Sequence, residues 1–162
     1  MVVSVISDTH LPSGSRRLPD SCVASLRASD LILHAGDFTS AEVVKEIEAI
    51  GPPLAAVHGN VDSEEVQRLL PEVRTVDAGG VKIAMLHDAG PAAGRLERMR
   101  VVFPDADAVV FGHSHIPLHE ELGGFQIFNP GSPTDRRRQP QFTMGIGDVQ
   151  DGRIRFRIVQ LD

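Results

Sequence analysis

"VVSVISDTH", residues 2–10, is a β-rich run that ends on two side chains able to bind a metal. Residues 2–7 read as a strand, because β-branched side chains dominate them. Asp8 and His10 follow at once. The same construction recurs along the chain. "LILHA" (31–35) leads to Asp37, and "LAAVH" (54–58) leads to Asn60. "VKIAMLH" ends on His87, and "ADAVVFG" (106–112) leads to His113 and His115. Ligands of α/β sheets bind in the crevice at the carboxyl ends of strands. Seven ligand-type residues at five such ends are expected to share one site.

The segments between these strands define the fold class. "TSAEVVKEIEAIGPP" has capping-box spacing at Thr39 and Glu42, an apolar face of Val43, Val44, Ile47 and Ile50, and a stop at Gly51-Pro52. "DSEEVQRLLP" (62–71) predicts a second helix, capped by Asp62 or Ser63. Further helices are expected near 20–28 and over 92–102, where Leu96, Met99 and Val102 have helical spacing. The later chain changes style. Three β-rich pairs meet at Gly79-Gly80, Gly123-Gly124 and Asp151-Gly152, which are hairpin turn signals. An α/β first half and a hairpin-rich second half are both satisfied by two mixed sheets packed face to face, with helices outside.

At 162 residues the chain suits a single domain (1–162) with a real core. It has no Trp or Tyr, so seven Phe and the aliphatic residues must fill the interior. The lone Cys22 excludes an internal disulfide and any thiolate cluster, which fits a reducing cytoplasm. The first residues lack the features of a signal peptide, and no stretch approaches a membrane span. A net charge of -6 argues against generic adhesion to nucleic acid or anionic lipid, leaving at most a small nucleotide as substrate.

The ligand set is chemically coherent. Asp8, Asp37 and Asn60 offer oxygen, while His10, His87, His113 and His115 offer imidazole nitrogen. Such borderline-to-hard donors suit Mn, Fe, Zn or Ni better than Ca. Seven ligands are too many for one open ion but suit two, with Asp37 as the bridging carboxylate. His113 and His115, one residue apart in "GHSH", can face the same way on extended backbone. Gly36, Gly59 and Gly112 each stand directly before a ligand, where glycine permits tight turns and close approach.

"DTH" (8–10), "GD" (36–37), "GN" (59–60), His87 and "GHSH" (112–115) resemble, in this order, the motifs of the calcineurin-like metallophosphoesterases. The short length, "GNVD" and "NPGSP" (129–133) are similar to the small phosphodiesterase branch, which also contains the retromer subunit of vacuolar sorting. The resemblance implies a four-layer sandwich of two mixed sheets flanked by helices. It implies one ion on Asp8, His10, Asp37 and His115, and another on Asp37, Asn60, His87 and His113, with Mn²⁺ the leading metal. In this arrangement Asp37, Asn60 and His87 take the catalytic roles, through a metal-bridging hydroxide and phosphate positioning. Two dications less two carboxylates and a hydroxide leave about +1 for an anionic ester.

Two departures stand out. Larger relatives carry a histidine after the Asn of "GN" to assist the leaving group, and here Val61 occupies that position. Small relatives commonly read Gly-His after the His87 position, and here Asp88-Ala89 follow. Asp88 either substitutes for that imidazole or repels phosphate.

Outside the ligand set, His58, Asn129 and Ser132 are candidate substrate contacts. His34 is expected to support a ligand, and His119 to lie at the surface. Arg136 to Arg138 form a loop from which one guanidinium reaches substrate or none does. The expected function is hydrolysis of a small phosphodiester; a phosphomonoesterase with the same metals and a metal-binding protein scaffold are the alternatives. The C-terminal hairpin is a candidate edge for a homodimer.

Overall fold

The computed structural model describes residues 1–162. In chain order its elements are Val2–Ile6 (β1), Asp20–Arg27 (α1), Leu31–His34 (β2), Ala41–Glu48 (α2), Leu54–Ala56 (β3), Glu64–Leu69 (α3) and Val73–Ala78 (β4). Val81–Leu86 (β5), Arg95–Val102 (α4), Ala108–Val110 (β6), Leu118–Leu122 (β7), Phe125–Asn129 (β8), Phe142–Gln150 (β9) and Arg153–Leu161 (β10) complete the chain. They form two five-stranded mixed sheets, ordered β10-β9-β1-β2-β3 and β4-β5-β6-β8-β7. The expected pair of mixed sheets is therefore present.

Strand alternation builds the layers. Val3 and Val5 of β1 join Leu33, Ile83, Met85, Val110 and Phe128 in the apolar layer between the sheets. Val2 and Ile6 point the other way, toward Cys22, Leu26, Val43, Val44 and Ile47 of α1 and α2. On the far side, Leu96 and Met99 of α4 pack on Ala84, Val109, Phe125 and Ile127 of the second sheet. Burying each large aliphatic side chain contributes about 1.5–3 kcal/mol, so the inter-sheet layer is the main cohesive element. Cys22 is wholly buried in the helix-facing cluster, and burial pushes its thiol up to about 12. The native chain is expected to react with a thiol reagent at neutral pH only after unfolding. Rapid labelling of the folded protein would contradict this packing.

All three predicted hairpins form with two-residue loops. Both central residues have positive φ in each: 62° and 87° at Gly79-Gly80, 58° and 86° at Gly123-Gly124, and 52° and 70° at Asp151-Gly152. That is the signature of the type I′ turn, whose twist matches the strands it joins.

Two local expectations fail. Thr39 does not cap α2; Ser40 is the N-cap residue, and no side chain bonds a free N–H there. The Thr39 hydroxyl instead donates to the Leu11 carbonyl, and its N–H donates to Asp62 at 2.7 Å, so tertiary partners outcompete the local box. The fourth helix starts at Arg95 rather than 92, because Gly94 takes a left-handed φ of 65°. For α3 the cap is Ser63, whose Oγ accepts from the Val66 N–H at 3.3 Å.

Parallel strands set the position of the site. β1, β2 and β3 run parallel, as do β5, β6 and β8. Their carboxyl ends meet at one edge of the sandwich. His87, after β5, bonds the Ala35 carbonyl, after β2, at 2.7 Å across the two sheets.

Candidate metal centre

The seven predicted ligands converge at this edge. His115 Nε2 lies 3.3 Å from Asp8 Oδ1, and His10 Nε2 lies 3.9 Å from the same oxygen. Asp37 Oδ2 sits 3.5 Å from His10 Nε2 and 3.1 Å from His87 Nε2. Asn60 Oδ1 is 3.1 Å from His87 Nε2 and 3.0 Å from His113 Nδ1. Asp37 therefore stands between an Asp8–His10–His115 corner and an Asn60–His87–His113 corner. Asp8, Asp37, His87 and His115 are buried, whereas Asn60 and His113 are exposed, so the second corner faces solvent.

The chain is strained to achieve this. Asp8, His10, Asp37, His113 and His115 have φ of 55°, 45°, 62°, 68° and 59°. Left-handed backbone costs a non-glycine residue about 1–2 kcal/mol, and it persists where surrounding bonds hold it. Here they do. The Asp8 N–H donates to the Gly36 carbonyl at 2.9 Å, and the His10 N–H to the Asp37 carbonyl at 3.0 Å. The His113 N–H donates to the Asp8 carboxylate, with oxygens at 3.0 and 3.2 Å, and Ser7 Oγ donates to Asp8 Oδ2 at 2.7 Å.

Close approach explains two of the glycines. A Cβ on Gly59 would overlap Asp37 Oδ1 and come within 2.6 Å of the Asp37 nitrogen. A Cβ on Gly112 would overlap Ser7 Oγ and come within 2.6 Å of Asp8 Oδ2. Both aspartates occupy space that any larger residue would take.

The ring tautomers show what the cluster can hold. A carbonyl only accepts, so His87 Nδ1 carries the proton given to Ala35, and His115 Nδ1 carries the one given to Asp135. In the neutral rings, each Nε2 is then a lone pair aimed at carboxylate oxygens. His10 Nε2 and His115 Nε2 are buried without a hydrogen-bond partner. Such an acceptor-rich nest needs a cation, either protons or a metal. Burial opposes charge on His87 and His115, yet Asp37 and Asp8 beside His87, and Asp8 beside His115, outweigh it and raise both pKa values. Burial alone would raise Asp37, but His87, the Val61 N–H and His10 hold it lowered. Desolvation dominates at His10 and lowers it. The donor set fits a divalent ion of the Mn, Fe, Zn or Ni type.

His34 behaves as the sequence suggested, as a support. Its Nδ1 accepts from the Gly36 N–H at 3.1 Å, so Nε2–H donates to Thr9 Oγ1 at 3.1 Å. Full burial, then the nearby His87, push its pKa well below the usual value and keep it neutral. His119 is exposed, as expected, and pairs with Gln126 at 2.9 Å.

Other expectations need correction. Asn129 and Ser132 are buried and bond the protein's own loops, which leaves no group facing substrate. Asn129 Nδ2 donates to the Gly112 carbonyl at 2.8 Å and to Ser114 Oγ at 3.2 Å. Ser132 Oγ donates to the Asp8 carbonyl at 2.8 Å and accepts from the Asp135 N–H at 2.8 Å. His58 is half-buried, with Nδ1 3.4 Å from the Gly59 carbonyl. Arg136 turns toward the Gln139 carbonyl and the Phe142 ring. Arg137, exposed and beside His115, opposes that ring's protonation.

Sequence reasoning missed the most connected support. Asp62 is 5% exposed and accepts from the Asp37, Thr39 and Gly59 N–H groups at 3.0, 2.7 and 2.7 Å. It appeared only as a rival to Ser63 for the helix cap. Its place at the end of "GNVD" was the available signal.

The chain resembles known proteins in sequence and fold. Residues 1–152 match the model of the calcineurin-like phosphoesterase superfamily domain. A probable metallophosphoesterase of Methanothermobacter thermautotrophicus is 33% identical over 136 residues, covering 83% of this chain and 78% of that protein. A phosphodiesterase of Methanocaldococcus jannaschii is 26% identical over 144 residues, 81% of this chain and 83% of its own. Vps29 of Entamoeba histolytica, solved in complex with Zn²⁺, superposes with a TM-score of 0.77 over 100% of both chains at 22% identity. No helix of this chain is long and apolar enough to cross a membrane. With a family match over nearly its whole length and a buried Asp/His cluster of metal-binding type where its strands end, the chain belongs to the calcineurin-like phosphoesterase superfamily, in the small branch that includes the M. jannaschii phosphodiesterase.

Proposed function

We propose that this chain is a metal-dependent phosphodiesterase acting on small phosphoesters. The observation that carries the reading is the pair of unpartnered ring nitrogens, His10 Nε2 and His115 Nε2, buried beside Asp8 with Asp37 linking them to the second corner. Asp8, His10, Asp37 and His115 would hold one divalent ion; Asp37, Asn60, His87 and His113 would hold another. Such ions supply Lewis acidity, activating water near neutral pH and taking up charge on phosphoryl oxygens. The leading metal is Mn²⁺.

The chain's own residues arrange the rest. Asn60 and His113, exposed at the open corner, line the approach for the ester. Val61 stands beside them with its side chain 45% exposed and offers no proton. A substrate whose leaving oxygen departs without protonation suits this site best. Arg137 is exposed beside His115, but the other charges near the mouth favour an anion less. Arg16 lies 3.6 Å from Asp135, and the Asp88 carboxylate is exposed near His113. A monoanionic diester is better tolerated there than a dianionic monoester.

The test is hydrolysis of bis(p-nitrophenyl) phosphate and p-nitrophenyl phosphate by metal-stripped protein, before and after adding Mn²⁺, Fe²⁺, Zn²⁺ or Ni²⁺. Metal-restored turnover with the diester preferred is expected. Preference for the monoester would make the chain a phosphomonoesterase. Silence with all four metals would favour a scaffold.

Proton competition gives a second check. The raised pKa values of His87 and His115 mean that protons occupy the metal-free site above the ordinary histidine value of 6.5. Metal uptake must expel them, so apparent affinity is expected to fall as pH drops through a window that begins above 6.5. Titration calorimetry in buffers of different ionisation enthalpy would show proton release on binding. A pH-independent affinity from pH 8 to about pH 6 would contradict these rings as ligands.

A further inference from the structure

Ser132 turns away from the mouth, and its hydroxyl bonds in both directions. Oγ donates to the Asp8 carbonyl at 2.8 Å and accepts from the N–H groups of Thr134 and Asp135 at 3.2 and 2.8 Å. A hydroxyl has one proton and two lone pairs, so its capacity is filled. The residue is 1% exposed, which shields these bonds from solvent.

The four residues from Ser132 to Asp135 reach the whole Asp8–His10–His115 corner. Ser132 holds the Asp8 carbonyl. Thr134 Oγ1 donates to the carbonyl of Thr9, between the two ligands, at 2.6 Å. The Asp135 carbonyl accepts from His115 Nδ1. Its carboxylate lies 3.6 Å from Arg16 Nη1, which also donates to the His10 carbonyl at 3.4 Å. The turn is itself fixed to β9, because the Thr143 N–H donates to the Ser132 carbonyl at 3.0 Å. The other corner is held differently. His87 is fixed on Ala35 and Asn60, and His113 on Asn60 and the Asp8 carboxylate.

We propose that the 132–135 turn is the frame of one ion's site, with Ser132 and Thr134 as positioning residues that set Asp8, His10 and His115 as a group without touching the ion. All three ligands have left-handed backbone, with φ of 55°, 45° and 59°. Such backbone persists only where its surroundings over-determine it. The turn supplies that constraint at the Asp8 and Thr9 carbonyls. Through the Asp135 carbonyl it also sets the His115 ring, whose Nε2 then faces Asp8 Oδ1 at 3.3 Å. Groups that orient ligands in this way typically cost about 10–100-fold in metal affinity when removed. The inference rests on the reading of Asp8, His10 and His115 as ligands of one ion.

Thr134→Val is the gentlest test, because it keeps the side chain's shape and removes only the hydroxyl on Thr9. Ser132→Ala is the stronger one. Calorimetric titration of metal-stripped protein with Mn²⁺ should show the first-corner ion weakened roughly tenfold in Thr134→Val and further in Ser132→Ala. The second-corner ion should change much less. His113→Ala identifies the ions, since it disables the second corner; the loss should persist when Thr134→Val is added to it. Thr134→Ser, which keeps the hydroxyl, should bind like the wild type. Ser29→Ala controls for lost stability. Ser29 is 8% exposed and donates to the Leu26 carbonyl at 2.7 Å, so its loss should lower Tm without moving either affinity. Wild-type affinity in Thr134→Val and Ser132→Ala would overturn the inference, and so would equal weakening of both ions. If Ser132→Ala does not fold, Thr134→Val decides alone. A wild type that binds no Mn²⁺, Fe²⁺, Zn²⁺ or Ni²⁺ would instead overturn the proposed function, which separates the two failures.

Discussion

If the proposed dinuclear site is right, replacing Asp37 by Ala is expected to abolish the binding of both ions and the metal-restored phosphodiesterase activity. The expectation follows from position. Asp37 Oδ2 lies within 3.5 Å of His10 Nε2 and 3.1 Å of His87 Nε2, one from each corner. No other carboxylate lies so close to both rings; Asp8 Oδ1 is 3.9 Å from each. Without Asp37, each corner keeps imidazoles but loses the negative charge that joins them. Several kcal/mol of transition-state stabilisation goes with the metals, and about 4 kcal/mol corresponds to roughly a thousandfold in rate. Activity against bis(p-nitrophenyl) phosphate with saturating Mn²⁺ should therefore fall at least about a thousandfold. Calorimetry should show neither ion at micromolar concentration. Asp37→Asn should retain the fold and part of the hydrogen bonding but bind metal weakly, because the amide carries no charge. An Asp37→Ala enzyme with near-normal turnover would sink the bridging assignment.

The largest features of this fold were legible because they depend on local chemistry. Double-glycine and Asp-Gly turns between β-rich runs announce their hairpins, and all three form. The candidate ligands could be picked out because each lies within a few residues of a strand's carboxyl end. Strand ends of a parallel sheet converge on one edge whatever the intervening helices do. The helix boundaries were less legible. At Thr39 the local pattern favoured a cap, but the hydroxyl and N–H found partners on Leu11 and Asp62, far away in sequence. Asn129 and Ser132 failed for a related reason. "NPGSP" lies near the pocket, yet proximity does not reveal which way a side chain turns. Both turn inward, where the Gly112 and Asp8 carbonyls take their donors.

That inward turn shows how the site is kept in shape. Five of the candidate ligands sit in left-handed backbone, and hydrogen bonds tie their loops to one another. His34 supports Thr9, Ser132 supports Asp8, Asn129 supports the Gly112 carbonyl, and Ser7 supports the Asp8 carboxylate. Each tie is a single hydrogen bond of modest net worth, about 1 kcal/mol. Together they hold a conformation that the chain would not adopt alone. Such pre-organisation keeps a ligand set near binding geometry before any ion arrives.

Asp62 is the tie on which the most depends, and Asp62→Ala is expected to produce the largest stability loss among the polar residues around the site. Its carboxylate receives three backbone N–H groups, from Asp37, Thr39 and Gly59. Removing it leaves all three without their partner in a buried setting. Each such orphan costs about 1–3 kcal/mol, so the variant should lose roughly 3 kcal/mol or more. In a chain of this size that corresponds to a drop in Tm of about 6–12 °C. The loss should reach metal binding too, because the same bonds place Asp37 and the loop leading to Asn60. Asp62→Asn gives the finer test. One oxygen can still receive the Asp37 and Gly59 N–H groups, which share Oδ2 in the wild type. The amide NH₂ would then face the Thr39 N–H, donor against donor. An intermediate Tm, with metal affinity nearer wild type than in Asp62→Ala, is the expected result. If both variants melt and bind Mn²⁺ like the wild type, the ligand loops are held by other bonds, and Asp62 is a passive occupant of its pocket.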